Sequence, residues 1–80
     1  MFTVKMKSGT YKVRMRPRYA TIKSEKKLLE RIQESIDWQR EKGYYSTAVA
    51  DRYQELLDER DIMRIASDWG MFNWTQRIKP

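Results

Sequence analysis

"FTVKMKSGTYKVRM", residues 2–15, alternates apolar and polar side chains on both sides of Ser8-Gly9. Phe2, Val4 and Met6 alternate with Thr3, Lys5 and Lys7, and Tyr11, Val13 and Met15 alternate with Lys12, Arg14 and Arg16. Period two is the signature of a strand with one face on a core and the other in water. Gly9 supplies the positive φ of a tight turn, so the stretch is expected to form a β-hairpin turning at Ser8-Gly9. A two-residue loop there sets Met6 opposite Tyr11, Val4 opposite Val13 and Phe2 opposite Met15, with every apolar side chain on one face. The same register sets Lys5 directly across from Lys12, a like-charge contact that costs stability. Pro17 has no N–H for a ladder and closes the second strand.

Outward from the hairpin the period changes to that of a helix. Ser24 stands at an N-cap position with Glu25 in the dipole-favoured first turn. Leu28, Leu29, Ile32 and Ile36 form an apolar stripe, and Gly43 is the expected C′ residue. After Tyr44 and Tyr45, Ser46 or Thr47 caps a second helix in which Val49, Tyr53, Leu56, Leu57 and Met63 share one side. The two helices then pack as an antiparallel hairpin. Past Asp58 the apolar side changes, because Ile62, Ile65, Ala66 and Trp69 fall on the opposite face. Either the helix breaks in "DERD", residues 58–61, and restarts at Asp61, or it continues and serves two surfaces. Gly70 stops it.

The tail "MFNWTQRIK", residues 71–79, alternates again, with Phe72, Trp74 and Ile78 on one side, and Trp69, Phe72 and Trp74 are expected core residues. Residues 1–80 are therefore expected to form a single α+β domain of order β-β-α-α-β. An N-terminal β-hairpin is followed by an antiparallel helix hairpin and a C-terminal strand completing a small antiparallel sheet. The helices cover one sheet face and leave the other open.

Composition narrows the function. The 80 residues contain no Cys and no His, which removes disulfides, thiolate chemistry, the commonest general base and the commonest metal ligand. Three Trp, five Tyr and two Phe let a small core bury much area per residue. No apolar run approaches the ~20 residues of a membrane span, and "MFTVKMK" alternates where a signal peptide would be uniformly apolar, so a soluble, cytoplasmic protein without a membrane partner is expected.

The net charge of +6 is unevenly placed. Nine Lys/Arg precede residue 28 against Glu25 alone, whereas residues 28–80 are slightly acidic. Such asymmetry points to a polyanionic partner or an acidic protein surface.

The candidate site is the polar face of the hairpin, where Lys5, Lys7, Lys12, Arg14 and Arg16 gather with no acid among them and Arg18 extends the row. Lys and Arg on an open sheet face suit phosphate neutralisation and counterion release. The competing reading is a charged strand face that only prevents edge pairing. Trp38 falls outside the apolar arc of the first helix, flanked at helical spacing by Lys27, Arg31, Glu34 and Lys42, and as an exposed ring among cations it would stack on a base. Packing under the tail or a homodimer contact would also account for it. The open sheet face itself is expected to hold no aromatic side chain, which favours backbone contacts over base reading.

No P-loop, GxGxxG, CxxC or HExxH motif occurs, and Glu55, Asp58, Glu59 and Asp61 read as a solvated helix face. No enzyme activity, catalytic residue, metal or cofactor is expected. Apolar residues on two sides of the second helix would leave surface for a homodimer to cover.

Residues 18–59, "RYATIKSEKKLLERIQESIDWQREKGYYSTAVADRYQELLDE", loosely resemble ribbon-helix-helix DNA-binding proteins, with a short alternating stretch, a helix, a Gly-containing turn and a second helix. The resemblance implies a dimeric regulator whose strand enters the major groove, with Tyr19, Thr21 and Lys23, or Arg18, Ala20 and Ile22, facing the bases. In overall style the chain also resembles small basic accessory proteins of tailed phages, of the anti-defence or host-takeover type. That likeness implies an RNA-binding antagonist of a host toxin or nuclease.

The leading expectation is a small non-enzymatic nucleic-acid-binding protein that prefers RNA or single strands to duplex DNA. Its contacts would come from Lys5, Lys7, Lys12, Arg14, Arg16, Arg18, Lys27, Arg31 and Trp38. A protein-binding inhibitor whose cationic face caps an acidic host protein is the alternative from another class.

Overall fold

A computed structural model describes residues 1–43 and 47–80. Tyr44, Tyr45 and the proposed Ser46 cap lie outside the described residues. The chain runs β1 (Phe2–Met6), β2 (Gly9–Met15), a 3-10 turn (Pro17–Tyr19), α1 (Glu25–Lys42), α2 (Thr47–Asp58), α3 (Ile62–Trp69) and β3 (Phe72–Lys79). The strands form one antiparallel sheet in the order β1-β2-β3, with β2 central. The class is α+β as expected from the sequence, with a third helix inserted before the last strand.

The hairpin forms on the expected faces but two residues out of the expected register. Phe2 pairs with Val13, Thr3 with Lys12, Val4 with Tyr11, Lys5 with Thr10 and Met6 with Gly9. The turn is therefore Lys7-Ser8, and Gly9 belongs to β2 with φ 140°. A shift of two residues leaves every side chain on its original face, so alternation alone cannot distinguish the two registers. Gly9 decides between them. Its backbone lies against the Lys79 carbonyl of β3, where any Cβ would collide. Lys5 thus faces Thr10, and the expected Lys5–Lys12 repulsion does not exist.

The β3 strand breaks the alternation read from the tail. Met15 pairs with Phe72 and Arg14 with Trp74, leaving Asn73 as an extra residue. A second irregularity leaves Ile78 extra between the Tyr11–Arg77 and Thr10–Lys79 pairs. Each extra residue reverses which parity faces the core. Phe72 packs against the core, whereas Trp74 and Ile78 are exposed. The expected core placement of Trp74 is corrected on that ground.

Helix boundaries follow local chemistry. Ser24 Oγ accepts the Lys27 N–H at 3.2 Å, and Gly43 at φ 67° donates its N–H to Gln39 O. Leu28, Ile32 and Ile36 are wholly buried and Leu29 partly so. The "DERD" break is real. Arg60 takes φ 59°, its N–H bonds Leu57 O, and the Asp61 N–H bonds Leu56 O at 2.8 Å. This is a Schellman closure with arginine where glycine is usual. It turns α3 so that Ile62, Ile65 and Ala66 enter the same core as Val4, Val13 and Ala50. Both apolar sides of residues 47–69 thus serve one core, which removes the two-sided helix as a reason for a homodimer.

The stretch that the ribbon-helix-helix resemblance reads as a strand is not a strand in this chain. Pro17 fixes φ and starts a 3-10 turn, with the Tyr19 and Ala20 N–H groups bonding Arg16 O and Pro17 O, and Ile22 is buried in the core. Among the described residues no helix is long and apolar enough to cross a membrane.

Candidate nucleic-acid interface

The face of the sheet opposite the helices is set by the ladder. Directly opposed residues point to the same side, with Cβ atoms about 4.5–5.5 Å apart. One row is Lys5, Thr10 and Lys79; the next is Thr3, Lys12 and Gln76; Arg14 and Trp74 complete it. Lys12 and Arg14 are two residues apart on β2, about 6.6 Å along the strand. No acid occurs in these rows, and none of Lys5, Lys12, Arg14 or Lys79 forms an ion pair among the described residues. Each cation has Thr, Gln or Trp as its cross-strand neighbour, so the charges are spaced by groups that donate, accept or stack.

Trp74 changes the character of this face. It is 43% exposed and stands in register with Arg14. Met1, Arg14, Asn73 and Trp74 line a shallow cleft of about 420 Å³. An indole beside a guanidinium is the combination with which single-strand binders stack an unpaired base and hold its phosphate. The alternation of the tail hides Trp74, and Lys79 was likewise missed. The available signal was Asn73, a residue depleted in strands and in place at the bulge.

The other expected contact residues do not share the face. Lys7 sits in the turn, with Nζ 3.3 Å from a Glu59 carboxylate oxygen and its backbone N–H on Arg60 O. Arg16 is held at the start of β3, donating from its backbone N–H to Met71 O and from Nε to Phe72 O. Lys27 pairs with Glu30 along α1. Arg18, Arg31 and Trp38 line one cleft, but its lining contains no strand residue. The expected continuous track is thus divided between the sheet and the helical layer.

The β1 edge is closed by the molecule itself. Glu25 Oε2 accepts the Lys5 N–H at 2.6 Å, Arg60 Nη1 donates to Lys5 O at 3.1 Å, and the two side chains lie 3.6 Å apart. The clamp satisfies outward-pointing backbone groups of an edge strand, which would otherwise recruit another chain. Among the described residues no three His, Cys, Asp or Glu side chains converge as a metal site, and the acids of 55–61 are dispersed. No family model, curated protein or solved structure matches this chain.

Proposed function

We propose that the chain is a non-enzymatic nucleic-acid-binding protein that holds RNA or another single strand across its open sheet face. Lys5, Lys12, Arg14 and Lys79 contact phosphates, and Trp74 stacks on an unpaired base. The observation that supports this reading is a face of cations without a carboxylate, with an exposed indole in register with one of them. Coulomb attraction to phosphates is sequence-tolerant, and stacking is available to every base, so the expected binding is weakly sequence-specific.

Titration of a labelled single-stranded RNA tests it. Four phosphate contacts give a log–log salt slope of about −3, from ~0.7 per phosphate on a single strand. Lys12→Glu with Arg14→Glu lowers affinity at least ~100-fold, because two attractive contacts become repulsive, while the melting temperature is retained. Undiminished affinity in the folded double variant overturns the proposal. The purified protein should carry nucleic acid that nuclease removes. A clean preparation whose cationic face captures an acidic protein instead would assign that face to the alternative class of partner.

A further inference from the structure

The helical layer holds a second cationic and aromatic site that the sheet-face reading does not use. Arg18 and Arg31 converge on one ring, their guanidinium carbons 5.8 and 5.9 Å from the Tyr19 centroid. Neither forms an ion pair among the described residues, whereas Lys27, Arg40 and Arg64 on the helices and Arg60 between α2 and α3 do. Tyr19 shares a cleft of about 570 Å³ with Trp38 and Trp69, and Trp38 is 49% exposed. Trp69 is braced from behind by Tyr53 in an edge-to-face contact at 5.2 Å. Glu34 and Gln39 also line that cleft, Gln39 with its Oε1 buried and unpaired among the described residues.

We infer that this cleft is a nucleotide site, independent of the sheet face. Two guanidiniums that share one ring and form no ion pair among the described residues suit a phosphate, for which Arg offers fork-shaped donors. The aromatic rings offer a stacking surface for a base. The exposed Glu34 carboxylate is an acceptor on the lining, so it matches a base edge that presents N–H donors. An acidic peptide without aromatic side chains would satisfy the arginines but not the rings. The volume lies within the ~300–1,000 Å³ of ordinary ligand sites. The nucleotide can be free or be one unpaired residue of a strand, since both present the same base and phosphate.

The full chain carrying Lys12→Glu and Arg14→Glu, with the sheet face disabled, is titrated by NMR with GMP or AMP. Parallel titrations use inorganic phosphate, the nucleosides and a 5′-phosphorylated pentanucleotide. The Trp38 and Trp69 indole signals are expected to shift with the nucleotides, at affinities about tenfold above phosphate or nucleoside alone. Arg18→Ala with Arg31→Ala, and separately Trp38→Phe, lower the affinity while circular dichroism reports a folded chain. Binding of the monophosphate assigns a free nucleotide, and binding of the pentanucleotide alone assigns a residue within a strand; either supports the site. Three results overturn it: no shift at these indoles, phosphate binding as tightly as the nucleotides, or nucleotide affinity unchanged in the arginine variant. A purely structural Arg–Tyr–Arg packing predicts the last of these together with a lowered melting temperature.

Discussion

Lys12 and Arg60 both lie beside the N-terminal hairpin, yet their charges end in different surroundings. Arg60 reaches the β1 edge, where its guanidinium meets Lys5 O and the Glu25 carboxylate, and its own carbonyl accepts the Lys7 N–H. Lys12 stands in the middle of the sheet between Thr3 and Gln76 and meets no acid. The contrast extends to their neighbours: Lys7, Lys27, Arg40 and Arg64 are ion-paired, whereas Lys5, Arg14 and Lys79 are not, among the described residues. Acids on adjoining helices account for the difference. Carboxylates on α1 and at the α2–α3 corner pair with Lys7, Lys27, Arg40 and Arg60, and none stands in the rows of the open face. Paired cations therefore support the fold, and the unpaired ones remain available to a polyanion.

The widest separation between the two groups is expected from charge reversal. Arg60→Glu sets a carboxylate against Glu25 and Lys5 O and should lower unfolding free energy by about 3 kcal/mol, leaving a backbone acceptor unpaired as well. Its affinity for single-stranded RNA should stay within about threefold of the parent at physiological salt, where distant charges are screened. Lys12→Glu should do the reverse, with stability changed by less than about 0.5 kcal/mol. Urea denaturation and RNA titration on both variants check this. Equal stability losses would erase the distinction.

Trp74 sharpens what the unpaired group does. Trp74→Ala should cost about 2 kcal/mol of single-strand affinity, within the range measured for loss of one stacked base. A duplex offers no unstacked base, so its weaker binding should be unchanged, and the preference for single strands should disappear. If both affinities fall together, Trp74 contributes contact area and not base stacking.

Much of this arrangement can be read from the residues in order, and the limits are physical. Alternation assigns Lys5, Lys12 and Arg14 to one face because parity survives a two-residue register shift. It cannot choose between registers, since that choice rests on Gly9 and its contact with Lys79, 70 residues later. Parity also fails at Asn73, where one extra residue turns Trp74 outward and supplies the aromatic that the open face was expected to lack. Ion pairing is equally invisible from local pattern: Lys7 and Glu59 meet only because α2 ends beside the hairpin turn. Ser24, Gly43 and Gly70 were legible since caps act within a few residues. Arg18, Arg31 and Trp38 were individually prominent, but only the 3-10 turn after Pro17 gathers them away from the sheet.

Arg60 also allows the paired group to be tested against its own cost. At φ 59° a side chain bearing Cβ carries about 1 kcal/mol of strain that glycine does not. The half-exposed clamp should contribute about 2 kcal/mol, through one charge-assisted bond and a screened ion pair. Arg60→Ala keeps the strain and loses the clamp, so it should be about 2 kcal/mol less stable than the parent. Arg60→Gly loses both and should fall between them, about 1 kcal/mol below the parent. The sign of the glycine variant is decisive. A glycine variant more stable than the parent would mean that the clamp contributes less than the backbone strain it accompanies. Arg60 would then hold its position for some purpose other than stability, and pairing could no longer separate the structural cations from the available ones.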